Sequence, residues 1–126
     1  MKHIIATKKA PAAVGPYNQA IVAGDFVFCS GQIPIDPETG AMVSGGFAEQ
    51  TEQVLKNVSA VLSAENLTLL NVVKATVFAT DMAAFPVVNE VYARFFASEP
   101  PARSFVQVGA LPKGALVEIE VIAYKG

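Results

Sequence analysis

The stretch Ala115 to Tyr124 alternates strictly, and this limits the possible folds more than any other feature of the chain. Val117, Ile119, Val121 and Ala123 fall on one side, and Leu116, Glu118, Glu120, Ile122 and Tyr124 on the other. Successive side chains of a strand point to opposite faces, so one face of this strand is all apolar and packs on a core. The other face carries two carboxylates among apolar neighbours. From Phe47 to Glu65 the period changes to helical: Thr51, Val54, Leu55, Val58, Val61 and Leu62 form a stripe, with Glu52, Gln53, Lys56 and Ser59 off it. One chain with both periods points to an α+β fold.

The remaining segments complete that pattern. Residues 2–6 can form a short strand, followed by a loop over 10–16 fixed by two prolines. Gln19–Ala23 and Phe26–Ser30 flank Gly24-Asp25 as a tight hairpin, and Gly31 is read as the end of the second strand. Asp36-Pro37-Glu38-Thr39-Gly40 has the composition of a type I turn. Asn66 suits a left-handed helix end, with Leu67 folding back on the last turn, and 68–71 is a short connection. Val72–Thr80 is β-branched and alternating. Asp81 leads into a second helix over about 84–97, with Pro86 tolerated in its first turn. That helix would bury Phe85, Val88, Val91, Tyr92, Phe95 and Phe96, and Glu90 and Arg94 would make a solvated pair. Both helices on one face of a single sheet is the economical arrangement for one domain over residues 1–126.

Composition bears on what covers the other face. Of 126 residues, 52% are hydrophobic and 16% charged, and the mean hydropathy is +0.43. A small monomer has a high surface-to-volume ratio and would expose much of that inventory. No run is long enough to span a membrane, and Met1-Lys2-His3 is charged too early for a signal peptide. A soluble, cytoplasmic homo-oligomer is therefore expected. A net charge of −2 with scattered lysines makes no nucleic-acid stripe. One Cys and one His cannot make a usual zinc ligand set. Cys29, in an apolar strand, reads as a small buried hydrophobe, and His3 is a poor candidate for a general base.

Arg103, one of two arginines, follows Pro100-Pro101 and shares a strand face with Phe105 and Gln107, opposite Ser104, Val106 and Val108. A guanidinium is permanently charged and can hold a carboxylate with two parallel hydrogen bonds. With Glu118 fifteen residues later, the pair suggests a small anionic substrate and a base. An ion pair that only fixes strand register would use the same residues, and spacing leaves open whether they meet within one chain or across subunits. Glu118 and Glu120 would repel if both were buried, so one belongs in a site and the other reaches solvent or a lysine.

Gly15-Pro16-Tyr17, Ser30-Gly31-Gln32-Ile33-Pro34, Val87-Val88-Asn89-Glu90-Val91-Tyr92, Pro101-Ala102-Arg103-Ser104 and Leu111-Pro112-Lys113-Gly114 with Val117-Glu118-Ile119-Glu120 occur in that order. Together they resemble the Rid family of reactive-intermediate deaminases, the YjgF-like proteins, nearly end to end. The resemblance implies a chorismate-mutase-like fold, a mixed sheet with two helices on one face, and a homotrimer with sites in the clefts between subunits. It implies hydrolysis of short 2-imino acids to 2-oxo acids and ammonia, without cofactor or metal. Carried over, Arg103 grips the substrate carboxylate and Glu118 activates water. Tyr17 and Asn89 line the cleft, and the Ser30-Gly31 backbone closes it. Where the family is expected to carry a small residue such as Cys or Thr, this chain has Phe105. A backbone role there makes the change harmless, whereas a side chain in the cleft makes the pocket smaller and more apolar.

Two other readings stand beside this one. A non-catalytic sensor of 2-oxo acids would keep Arg103 and do no chemistry. An endoribonuclease or translation inhibitor would need an acid and a base near a 2′-OH and a basic or aromatic surface, which a chain with one terminal histidine and two arginines does not supply.

Overall fold

A computed structural model describes residues 1–126. Six strands form one mixed sheet: β1 (His3–Ile5), β2 (Ala20–Ala23), β3 (Phe26–Gln32), β4 (Val72–Ala79), β5 (Ala102–Gln107) and β6 (Val117–Tyr124). Their order across the sheet is β1-β2-β3-β6-β4-β5. All pairs are antiparallel except β4 with β5. Helix α1 (Phe47–Ser63) joins β3 to β4, and α2 (Phe85–Phe95) joins β4 to β5. A parallel neighbour needs a crossover, and α2 is that crossover. The last strand in sequence is central in space, which is why its inward face is wholly apolar.

The core lies between the sheet and the helices. Val117, Ile119, Val121 and Ala123 are buried there with Val27, Ala75 and Val77 from the sheet and Val54, Leu55, Val58, Val61 and Leu62 from α1. Thr51, polar but on the stripe, is buried as well, its hydroxyl donating to Phe47 O at 2.6 Å. Asn57 is also buried. Its Nδ2 donates to Ile33 O at 3.1 Å and Ile35 O at 2.9 Å, which ties the loop after β3 to the helix. Past the end of α1, Asn66 is left-handed (φ 59°) and the Leu67 N–H closes on Leu62 O at 3.1 Å, as the sequence predicts. Cys29 is buried as expected, and burial pushes its thiol pKa up to about 12.

Four expectations change. Gly31 does not end β3, because the strand continues to Gln32 through a bulge. Cys29 pairs with Val121 and Gln32 with Ile119, so Ser30 and Gly31 together oppose Glu120. The turn at 36–40 is one residue wider than type I: the Gly40 N–H bonds Asp36 O at 2.8 Å, with Gly40 at φ 74°. The second helix is shorter than 84–97, because Met82–Ala84 forms a separate 3-10 turn capped by Asp81. Phe85 is not in the core but 38% exposed, at the first position of α2, where its ring meets Phe105.

The opposite sheet face is covered by the chain only in part. Phe26, Phe28 and Tyr124 stand on it 41–45% exposed, in tilted ring contact. Val106 is exposed as well.

Candidate functional site

The register places Arg103 and Glu118 on opposite faces of the sheet. Arg103 pairs with Ala75, which is fully buried and pairs in turn with buried Val121, so Arg103 lies on the helix side. Glu118 lies between buried Val117 and Ile119 along β6 and so points to the open side. Neither residue takes part in any of the four ion pairs of the chain. An ion pair that fixes register is therefore ruled out within one chain.

The Arg103 half is built by β5 and α2. Phe85, Asn89 and Tyr92 are spaced four and three apart and share one face of α2. The Arg103 Nη1 donates to Asn89 Oδ1 at 2.8 Å. Its guanidinium carbon lies 4.8 Å from the Tyr92 ring centre, 5.3 Å from Phe105 and 5.6 Å from Phe85. Phe85 and Phe105 meet edge to face at 4.8 Å. Aromatic faces attract a cation without neutralising it. The guanidinium is thus oriented while its charge stays free of any carboxylate. Burial raises the pKa of the Tyr92 hydroxyl, which has no hydrogen-bond partner, and the Arg103 charge offsets part of that rise. The Phe105 ring forms a wall beside the guanidinium, so its side chain does shape this half.

The Glu118 half is a cavity of about 580 Å³ on the other side, lined by Tyr17, Ser30, Gly31, Pro112, Lys113 and Glu118 among others. Glu118 is half-buried and makes no hydrogen bond or ion pair. Burial raises its pKa above the usual carboxylate range, and nearby Glu120 adds to the rise. Glu120 itself is exposed. Ser30 Oγ donates to Asn18 O at 2.6 Å. The Tyr17 hydroxyl accepts the Val14 N–H at 3.3 Å, and its ring is about half exposed.

The structure therefore brings Tyr17, Ser30, Gly31 and Glu118 together in one place, and Asn89, Arg103 and Phe105 in another. It does not join the two groups within one chain. Four contributing side chains are not marked as site residues by the sequence. Gln19 is buried and holds the strap over the cavity: its Oε1 accepts the Thr7 N–H at 2.7 Å, and its Nε2 donates to Thr7 O at 3.0 Å and Pro11 O at 2.8 Å. Lys113 lines the cavity from a left-handed backbone position, φ 57°. Phe85 and Tyr92 flank the guanidinium; Tyr92 is in the core as the helix stripe predicts and Phe85 is not, and their spacing from Asn89 carries the signal of a shared face. No three His, Cys, Asp or Glu side chains converge as a metal ligand set, and no helix is long and apolar enough to cross a membrane.

Residues 7–125 match the model of the family described as endoribonuclease L-PSP. The chain is 53% identical over 125 residues to a RutC family protein of Pyrococcus horikoshii, covering 99% of each. It is 47% identical over 126 residues to the human 2-iminobutanoate/2-iminopropanoate deaminase, covering all of this chain and 92% of that one. A crystal structure from the conserved Rid protein family of Yersinia pestis is 51% identical with a TM-score of 0.96, covering 98% of this chain and 99% of that one. Sequence similarity and backbone agree over nearly the whole length, and the chain belongs to the endoribonuclease L-PSP family, also called YjgF/Rid.

Proposed function

We propose that the chain hydrolyses short 2-imino acids, such as 2-iminopropanoate and 2-iminobutanoate, to 2-oxo acids and ammonia. The observation that carries this reading is Glu118, a half-buried carboxylate without a partner in a cavity of about 580 Å³. A relative that shares 47% of this sequence bears the name of that activity. The imine carbon is already electrophilic, so the site has to orient imine and water and manage a proton. Glu118 takes a proton from water as the oxygen bonds to the imine carbon. That proton passes to the imine nitrogen, giving a carbinolamine. Its hydroxyl proton then moves to nitrogen as the C=O double bond forms and the C–N bond breaks, releasing ammonia and the 2-oxo acid. Arg103 holds the substrate carboxylate in this reading. Tyr17 and Asn89 line the cleft, the Ser30-Gly31 backbone closes it, and the Phe105 ring limits its width beside the carboxylate.

Glu118 and Arg103 occupy opposite faces, so the reading requires two subunits for each site. A homotrimer, with Arg103 of one subunit facing Glu118 of its neighbour, supplies three such clefts. It also covers Phe26, Phe28, Tyr124 and Val106, which a monomer leaves in water. Sedimentation velocity at micromolar concentration should give the mass of three 13.2 kDa chains, and a clean monomer would sink the shared cleft.

The activity is tested by generating imine in situ with a dehydratase acting on serine or threonine, then following release of the 2-oxo acid. Acceleration by the assembled protein is expected. Binding of a 2-oxo acid without acceleration would make it a sensor. RNA cleavage finds no support at either half-site: the only histidine, His3, is on β1 at the far sheet edge, 3.2 Å from Glu65.

A further inference from the structure

We propose that Gly31 is a positioning residue for the reaction: the space left by its missing side chain is the seat of the Glu118 carboxylate. The proposal rests on the imine-hydrolysis reading for its catalytic consequence, and on the geometry alone for the seat. A Cβ built on Gly31 would overlap Glu118 Oε2 and stand 2.8 Å from the carboxyl carbon and 3.1 Å from Cγ. The backbone at Gly31 is not left-handed, so no positive φ demands glycine there. Among the nine glycines, only Gly31 combines ordinary backbone with an overlapping Cβ. At Gly45 an added Cβ would also collide, with Glu49, but φ there is +112° and the backbone alone demands glycine. At Gly109 an added Cβ would meet nothing.

The bulge explains how the seat arises. A regular β3 would turn residue 31 inward, after Cys29 and away from Glu118. The extra residue keeps both Ser30 and Gly31 on the open side, which is the face of Glu118, and returns Gln32 to the interior. Bulges recur beside active sites, where they re-aim a residue. Here the re-aimed position carries no side chain, and the carboxylate lies against bare backbone. That close approach shields one side of the carboxylate from water, in accord with the burial that raises its pKa. The same contact fixes where a water bound to Glu118 can stand relative to the cleft.

The test is a cycle of Gly31→Ala, Glu118→Ala and the double variant, read by thermal unfolding and by steady-state hydrolysis. The overlapped atoms are the flexible end of Glu118, which can swing aside, so the effect of Gly31→Ala on the melting temperature should be small. It should nevertheless be less favourable in the parent than in the Glu118→Ala background, where the overlap is gone. An equal effect in both backgrounds, or failure of both Gly31→Ala proteins to fold, would overturn the seat. In the single variant kcat should fall about 10²-fold, the scale of an ~1 Å misplacement, with KM changed only a few-fold because Arg103 still holds the substrate. The acid limb of its pH–rate profile should move to lower pH as the carboxylate is pushed toward water. Unchanged kcat would overturn the catalytic part. A parent protein without imine hydrolysis would remove the reaction reading, while the stability cycle would still decide the seat.

Discussion

Arg103→Ala should cost imine hydrolysis most of its rate while the protein still folds and assembles. In the chain the guanidinium is bonded to Asn89 and faced by three rings, and it neutralises no carboxylate. Its removal leaves no buried acid unpaired, so folding should tolerate the change. The substrate carboxylate, by contrast, loses a charge-assisted and largely desolvated partner. Truncating one member of such a pair costs ~2–5 kcal/mol in interfaces, or roughly 30- to 5,000-fold in kcat/KM. Arg103→Lys should recover little of this. An ammonium cannot hold a carboxylate with a planar fork and reach Asn89 at the same time. The measurements are kcat/KM on in situ imine and sedimentation of each variant. Near-parental turnover in Arg103→Ala would remove Arg103 from substrate binding.

Glu118→Gln should lower kcat by ~10²–10⁴-fold, the usual contribution of a positioned base, while 2-oxo acid binding survives. The amide keeps the shape that fills the space beside Gly31 but cannot take a proton. Glu120→Gln should stay within a few-fold of the parent, because Glu120 is exposed and does not line the cavity. The pH dependence follows from the direction of the Glu118 shift. Its pKa is raised above 4.5, first by burial and then by Glu120. The base form, and with it kcat/KM, is therefore lost at a higher pH than for an ordinary carboxylate as the pH falls. Removing the Glu120 charge takes away the smaller of the two causes, so Glu120→Gln should move that acid limb to lower pH. A limb that stays in place would show that Glu120 does not act on Glu118. Loss of activity in Glu120→Gln alone would exchange the roles of the two glutamates.

The two halves of the candidate site differed in how far they could be read in advance. Asn89 and Arg103 lie in motifs that the family resemblance marked, and the structure does put them in contact. Their aromatic surroundings were hidden because Phe85 and Tyr92 fit an apolar helix stripe as well as they fit a guanidinium. Phe85 is 38% exposed and packs on Phe105 and Arg103, and only the tertiary structure shows that. At Gly31 a glycine after an alternating strand reads naturally as a strand end. The bulge that continues the strand is a property of β3 and β6 together. It appears only when Gln32, rather than Gly31, is seen to pair with Ile119.

Local periodicity carried the α1 stripe, the Gly24-Asp25 hairpin, the Asn66 helix end and the two faces of β6, because each depends on neighbours within a few residues. The same alternation established that Glu118 and Arg103 each sit at a defined face of their own strand. Which face of the common sheet that is, and which strands lie between them, depended on burial among segments far apart in sequence. β6 takes the centre because its apolar face is continuous. That places β4 between β6 and β5, with Arg103 turned to the helices and Glu118 to the open side. A pairing that spacing left undecided became two half-sites through tertiary packing, since a sheet separates its faces by the thickness of a backbone that side chains do not cross.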